Sequence, residues 1–568
     1  MPKTLAKTLI CALKKSSEGN EGITYITSAH DENTVTYQAL YQHALGLLHH
    51  LQQANINTRS EIIICIDSNE QFVNAFWASL LGALVPVPLA TGNSPQALQK
   101  IFNVFSTLKQ PYLYTNKKQL EYLRQYAAAH ELEAEFLRIQ QRAILIDTMV
   151  DISTPGVEQL AAPEDIALIQ YSSGSTGTPK GIMLSHKNLL ATINAIVVNG
   201  GFTWKDIGLS WLPLTHDLGL VGFHLLPTIF GRDHHLLNPE LFIRHPKLWL
   251  QKAHEKRASV LASPNFGYHF LLKHITKKKL ADLDLSCVRV IFNGAEPISM
   301  DLCREFSEAL SPYGLSPTAI FPVYGMAEAG LAVTFPDPCE LPQSVTIDSS
   351  ALKTGEMVLT TEPHTKHATE LALLGMPVQN CQVRITDQYD NTLTENHFGF
   401  IQIKGENVTS GYYGQATTNT FTDDDWLKTN DMGFFHNSQL VVTGRANDLI
   451  IINGQSYWPH DIEASLFNAR ISELGKVVVC GINNPKTQTE TLVVFIAYRG
   501  SLEIFADLSF TVRSHLLSEF SLPVESIIPV KQIPKTSSGK FQRFLLKQQF
   551  TEGKFAETCT QLAADAIE

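Results

Sequence analysis

The stretch Tyr171-Ser172-Ser173-Gly174-Ser175-Thr176-Gly177-Thr178-Pro179-Lys180-Gly181 decides how this chain is read. It follows an apolar run, Ile166-Ala-Leu-Ile-Gln-Tyr171, and leads into a second, Ile182-Met-Leu184. Its serine and threonine hydroxyls and three glycines allow backbone N–H groups and side chains to wrap around phosphate oxygens. Glycine removes the steric bar to left-handed backbone and to close approach. Lys180 adds a cation. The spacing is not that of G-x-x-x-x-G-K-[ST], because Gly177 lies three after Gly174 and the lysine three later. A flexible Ser/Gly linker is the bland alternative, and the flanking strand-like runs count against it.

Around this loop, from about 60 to 330, short β-rich runs alternate with helical ones. Glu61-Ile-Ile-Ile-Cys-Ile66, Val85-Pro-Val-Pro-Leu89, Gly208-Leu-Ser-Trp-Leu-Pro213 and Val288-Arg-Val-Ile-Phe-Asn-Gly294 read as strands. The segments 74–84, 94–105 and 185–198 read as helices, the last capped by Ser185. Near-continuous Val/Ile/Leu strands alternating with helices predict parallel sheets covered on both faces. After about 335 the texture turns β-rich, and after about 447 alternation resumes and ends in a basic tail. The segment 346–372 has mixed polarity and looks inserted.

Length and composition limit the alternatives. At 568 residues, more than one domain is expected. With 44% hydrophobic and 17% charged residues the chain is not disordered. A net charge of −11 argues against nucleic acid as the partner. The eight cysteines show no C-x-x-C and no zinc spacing, which fits a reduced, cytoplasmic protein. The first fifteen residues read as a short amphipathic helix rather than a signal peptide, and no apolar run reaches the ~20 residues of a membrane span.

Five ordered motifs carry a family resemblance. The Ser172–Gly181 loop, Tyr324-Gly325-Met326-Ala327-Glu328, Asn430-Asp431, Gly444-Arg445-Ala-Asn-Asp448 and Pro534-Lys-Thr-Ser-Ser-Gly-Lys540 resemble, in order, the signatures of the adenylate-forming superfamily. That superfamily includes acyl-CoA synthetases, luciferase and nonribosomal-peptide adenylation domains. Trp211-Leu-Pro-Leu-Thr-His216-Asp217-Leu-Gly-Leu and Asn293-Gly294-Ala295-Glu296-Pro297, with the inserted segment, resemble its fatty acyl-AMP ligase branch.

The resemblance implies an α/β fold: a large N-terminal domain (1–446) of parallel sheets, with a β-barrel-like subdomain at about 335–446, and a small mobile α+β C-terminal domain (447–568) turning about Asn447. It implies that a fatty acid and ATP give acyl-adenylate and pyrophosphate, and that the acyl group then passes to the phosphopantetheine thiol of an acyl carrier protein. The Ser172–Lys180 loop would hold the β- and γ-phosphates, Glu328 a Mg²⁺ ion, and Lys540 the α-phosphate and carboxylate. Asp431 and Arg445 would hold the ribose. Gly294, Ala295, Glu296 and Tyr324 to Ala327 would line the nucleotide slot, and His216 the acyl-phosphate region. Ala327 stands where many relatives place a threonine. Phe223, Asn265 and Phe266 are acyl-tunnel candidates, with core packing as the competing reading.

His216-Asp217 lacks a G-x-S-x-G partner, so no serine triad is expected. His234-His235 lacks further metal ligands and reads as structural. Lys531, Lys535, Arg543 and Lys547 form either a solvated face or a dock for an acidic carrier protein. Two rivals stand beside the leading reading: a fatty acyl-CoA ligase with CoA as acceptor, and a non-catalytic acyl or nucleotide sensor.

Overall fold

A computed structural model describes residues 6–148, 152–172, 179–275, 282–365, 367–416, 420–452, 455–473, 475–484, 489–520, 522–535 and 540–565. Ser173 to Thr178 of the glycine–hydroxyl loop lie outside the described residues, as does the side chain of Ser172.

The buried apolar runs form two parallel sheets. Edge to edge, the central sheet runs Ile320–Pro322, Val290–Asn293, Val260–Ala262, Gly208–Ser210, His234–Leu237, Gly22–Ile26 and Glu32–Thr36. Only the last strand is antiparallel to its neighbour. The second sheet runs Val85–Pro88, Glu61–Ile64, Tyr112–Thr115 and Ala143–Leu145, all parallel. Its prolines explain the order: Pro86 and Pro88 donate no hydrogen bond, which confines their strand to an edge.

Helices cover both sheets and start at side-chain caps. Ser68, Ser94 and Ser299 each accept a backbone N–H of the first turn. Ser185 does the same for His186–Asn199, and Asn188 returns a bond to close a capping box. The antiparallel hairpin Ile166–Ser172 and Lys180–Ser185 carries the glycine–hydroxyl loop, with Ser172 paired to Lys180 at its tip.

The β-rich region contains a four-stranded antiparallel sheet, Cys381–Thr386, Gly399–Gly405, Leu427–His436 and Gln439–Arg445. Beyond residue 450, Val477–Asn484, Thr489–Ala497 and Val524–Val530 form a separate sheet under the helices Pro459–Asn468 and Leu502–Phe520. Two apolar cores there draw all their residues from 450–562.

Trp458 is the exception. It joins a core with Val345, Ile347, Leu352 and Val358, in or beside the segment 346–372, with Phe434 of the antiparallel sheet and with Phe398 just before its second strand. Its ring lies on Gly444, where a Cβ would come within 2.6 Å of it and where φ is +155°. The inserted region is a hairpin, Ser344–Asp348 against Ala368–Ala372. Its turn Ser349–Ala351 packs on Gln455–Tyr457, and Arg304 clamps Glu370 with bonds of 3.0 and 2.7 Å. Burial pushes Asp461 up to about 7, against a hydrogen bond with Thr369.

His234 belongs to a buried relay. Trp77 Nε1–H donates to His224 Nε2 at 2.9 Å, His224 Nδ1 lies 3.3 Å from His234 Nε2, and His234 Nδ1 lies 3.0 Å from the Tyr37 hydroxyl. Tyr37 in turn donates to the carbonyl of Arg232. A single chain of neutral tautomers satisfies every member. Burial supports that assignment, pulling His224 down to about 3 and His234 well below the usual histidine range. This histidine is structural, as its sequence context implied.

Candidate active site

The central strands end at one side, and their carboxyl ends open into a cleft of about 2560 Å³ walled on the far side by the C-terminal region. This is where open α/β sheets place ligands. Asn293 runs out into Gly294–Pro297, Pro322 into Val323 and Tyr324, and Ser210 towards His216 and Asp217, and all these segments reach the cleft.

One wall is a carboxylate held by two donors. Asp431 and Arg445 are cross-strand partners, so the pleat sets them side by side. Arg445 Nε lies 3.2 Å from Asp431 Oδ1, and the Tyr324 hydroxyl donates to Oδ2 at 2.6 Å. Burial, then Asp431, pushes the Tyr324 phenol well up, and Asp431 raises the Arg445 guanidinium. Tyr324–Met326 pairs tightly with Leu331–Phe335; a Cβ at Gly325 would meet the Leu331 carbonyl at 2.1 Å, so only glycine fits there. Ala295 sits at φ +72°, a left-handed conformation that costs a non-glycine residue of the order of 1–3 kcal/mol.

Glu328 follows in the turn Ala327–Ala329. Its Oε1 accepts from the Tyr412 hydroxyl at 2.9 Å, and Lys180 Nζ lies 5.1 Å from the centre of the Tyr412 ring. One tyrosine therefore links the base of the loop to the acid. Burial raises the Glu328 carboxyl, while its hydrogen bonds and Arg445 pull the other way.

Lys540 faces this group from the C-terminal wall. It is an exposed residue that lines the cleft. Burial and Arg445 pull its ammonium down, against the attraction of Asp217, Asp431 and Glu296. Burial alone would raise Asp217, yet His216, Lys540 and the Leu218 N–H hold it below the usual range. The His216 Nδ1–Asp217 Oδ1 distance is 2.7 Å. Glu296 accepts from the Phe266 N–H at 3.1 Å and is raised by burial, with Lys540 and Lys535 opposing.

Part of the cleft lining is buried and apolar. Phe223, Ile196, Phe202, Phe292 and Phe335 belong to it, Phe223 edge-on to Phe292 at 6.4 Å. Phe223 belongs to a π-helix, Leu218–Leu225, that begins directly after His216-Asp217. Such wide turns recur at functional sites. Nearer the mouth, Asn265 bridges Asn293 and the Pro297 carbonyl, and Phe266 packs edge-on against Trp211.

A family profile described as AMP-binding enzyme matches residues 13–413, most of the chain. The chain belongs to the AMP-binding enzyme family. It is 29% identical over 97% of its length to a provisionally named acyl-CoA synthetase of Caulobacter vibrioides, covering 96% of that protein. It is 27% identical over 92% of its length to a medium-chain-fatty-acid–[acyl-carrier-protein] ligase, JamA, of Moorena producens, covering 90% of that protein. Among solved structures, one from a study of fatty acyl-adenylate ligases of E. coli and L. pneumophila is 27% identical and covers 98% of this chain and all of the other, with a TM-score of 0.86. The adenylate-forming resemblance read from the motifs, and its acyl-AMP ligase branch, thus agree with whole-chain similarity.

In this AMP-binding enzyme, Lys540, Glu328, His216, Asp431, Arg445, Tyr324 and Gly294 to Glu296, all expected from sequence, line one cleft with Lys180, and Asn447 lies at its edge. Among the described residues no group of three or more His, Cys, Asp or Glu is arranged as a metal site. Likewise among the described residues, no helix is long and apolar enough to cross a membrane. Sequence reasoning passed over Tyr412 and the charge of Asp217. Asp217 stood in the quoted motif beside His216, whereas no local pattern marks Tyr412.

Proposed function

We propose that this enzyme activates a fatty acid with ATP and passes the acyl group to a carrier protein. The observation that carries the reading is a single cleft lined both by Lys180, Glu328, Asp431–Arg445 and Lys540 and by the buried phenylalanines Phe202, Phe223, Phe292 and Phe335. A carboxylate oxygen attacks the α-phosphorus, the bond to the β-phosphate oxygen breaks, and pyrophosphate departs. A thiolate sulfur then attacks the acyl carbon and AMP leaves. Two anions must meet in the first step, so fixed positive charge at the cleft mouth lowers the barrier.

Lys540 supplies that charge at the α-phosphate and carboxylate. Asp431 accepts from the ribose hydroxyls, and the loop between Ser172 and Lys180 takes the β- and γ-phosphates. Glu328 suits Mg²⁺ because the ion binds through one or two carboxylates plus phosphate oxygens and water; bound there, it would neutralise phosphate charge. His216, fixed by Asp217, flanks the acyl-phosphate region, and Phe223, Phe266 and Asn265 guide the acyl chain. We assign residues 1–446 and 447–568 to two domains that turn about Asn447, a motion that moves Lys540 in for the first step and out for the second.

A carrier thiol is preferred to CoA because the inserted hairpin is fastened to the C-terminal region through Trp458, the Gln455–Tyr457 strand and Asp461. The name of the Caulobacter relative favours CoA. The test offers a panel of fatty acids with ATP and Mg²⁺, then CoA and holo-carrier protein in parallel. Acyl-AMP that accumulates with CoA and discharges onto the carrier is expected. Efficient acyl-CoA formation would reverse the choice of acceptor, and no acyl-AMP from any fatty acid would reject the reading.

A further inference from the structure

Phe202 stands in the cleft wall where that wall meets the molecular surface. It lines the cleft beside Phe223, Phe292 and Phe335 and is 5% exposed. Its ring stacks on Phe292 with centres 6.0 Å apart and planes 8° from parallel. It also meets Arg289, whose guanidinium carbon lies 5.3 Å from the centre of the ring. The Arg289 side chain is 33% exposed and does not line the cleft, so its exposed surface faces the solvent outside. Trp204, in the same turn, is 66% exposed. Phe202 therefore separates the apolar part of the cleft from a solvent-facing cation.

The neighbours of the ring are fixed. The helix His186–Asn199 ends at Gly200, and the Phe202 N–H returns to the Val197 carbonyl at 3.0 Å. A Cβ on Gly200 would come within 2.4 Å of the ring, so glycine is what lets the ring lie across this turn. Arg289 is held by both Asp206 oxygens, at 3.2 and 3.0 Å, and by the Gly200 carbonyl at 3.2 Å. Asp206 accepts in addition from the Thr203 N–H and the Ser259 hydroxyl, each at 2.7 Å. A cation over an aromatic ring attracts it, and a guanidinium gripped at both ends of its fork does not move aside. The other rings of the lining are backed differently. Phe223 lies against Gly208, where an added Cβ would stand 3.6 Å from it, and Phe292 and Phe335 both pack on buried Phe321. Shortening one of those opens a cavity inside the core, whereas shortening Phe202 extends the cleft towards the surface.

We infer that Phe202, braced by Arg289, is the stop that sets the longest acyl chain the enzyme accepts. The inference rests on the fatty-acid reading above and names one limit of its substrate range, an aliphatic carboxylic acid whose terminal methyl reaches this ring. Each methylene buried along an apolar wall multiplies affinity about fourfold. The gain ends where the chain meets a ring that neither turns nor retreats, because overpacking costs more than burial returns.

The test measures kcat/KM for acyl-AMP formation by the full-length enzyme with straight-chain saturated acids from hexanoate to octadecanoate. The wild type should climb with chain length and then break. In Phe202→Ala the break should move to longer acids. The ratio of kcat/KM for the first even-numbered acid past the wild-type break to that for hexanoate should rise at least about tenfold, the scale of two further methylenes. Phe202→Leu keeps most of the packing and should move the ratio the same way by less; it decides the matter where Phe202→Ala does not fold. An unchanged ratio in a folded variant would overturn the inference, since a ring with a packing role alone affects all chain lengths together. So would a wild-type profile without a break. A wild type that forms acyl-AMP from no fatty acid would instead reject the underlying reaction, so the two failures are distinct.

Discussion

Replacing Asp431 with asparagine isolates the nucleotide-binding wall. An ionised carboxylate offers about four lone-pair sites. The Tyr324 hydroxyl takes one on Oδ2 at 2.6 Å and Arg445 Nε one on Oδ1 at 3.2 Å, which leaves two for a ribose diol in the cleft. Hydrogen bonds to a charged acceptor contribute about 1.5–3 kcal/mol each. The amide introduced by Asp431→Asn would keep one acceptor oxygen, contested by Tyr324, and turn the other position into a donor. A net loss of about 2–3 kcal/mol follows, or roughly 30- to 150-fold in the KM for ATP. Arg445 opens onto the cleft, so the fold should lose less than about 1 kcal/mol. The decisive assay is a cycle with 2′-deoxy-ATP, reading pyrophosphate release. The wild type should lose about tenfold with the deoxy nucleotide, and the variant, already lacking the acceptor, little. An equal penalty in both proteins would show that Asp431 does not touch the ribose.

Three further outcomes follow from the geometry. Lys540→Ala should slow acyl-AMP formation by at least about 10²-fold while nucleotide binding and discharge of preformed acyl-AMP persist; pyrophosphate release at the normal rate would remove Lys540 from the chemistry. His224→Phe leaves the Trp77 N–H and His234 Nε2 buried without partners, at about 1–3 kcal/mol each; a urea midpoint equal to that of the wild type would mean that the relay contributes nothing. Burial holds His186 and His235 at about 4 and His224 at about 3, below the unfolded value of ~6.5. Of these three histidines only the unfolded forms take up protons between those limits, so their contribution to stability is full above pH ~6.5 and falls as pH drops towards 4, whereas the buried carboxyl of Asp461, raised to about 7, acts in the opposite sense. His186 also accepts the Leu9 N–H through Nδ1, a bond that its protonation breaks. The loss of urea midpoint between about pH 7 and pH 4.5 should shrink in His186→Asn, and an unchanged loss in that variant would contradict a neutral His186.

The residues around the cleft were legible because each lies in a short motif: Gly294–Glu296 and Arg445 stand at or just beyond the carboxyl end of a strand and Glu328 in a turn, while Asp431 stands mid-strand and Lys180 opens one. The parallel sheets were legible from runs such as Ile62–Ile64, buried on both faces. What escaped depends on distant pairing. Gly22–Ile26 and Glu32–Thr36 precede the alternating region and complete the central sheet only through His234–Leu237. Tyr412 acquires its partner through the fold, 84 residues after Glu328. Nothing in the composition of Leu218–Leu225 marks a π-helix, because its wide turns follow from packing.

Trp458 bears on the choice of acceptor through energy. A buried tryptophan hides about 150–250 Å², which at ~25 cal/mol per Å² resists removal by about 4–6 kcal/mol. Trp458 lies eleven residues beyond Asn447, and its ring packs against the inserted hairpin and Gly444 rather than against the cores of 450–562. Any rotation about Asn447 that carries Lys540 out of the cleft must strip some of that contact or drag the hairpin along, and the Arg304–Glu370 clamp opposes the second course. A small thiol such as CoA brings little surface with which to offset the cost. On the proposed reading, a carrier protein that docks across the C-terminal region would contribute binding energy of its own, so a tether that disfavours CoA would leave a protein-borne thiol able to complete the reaction.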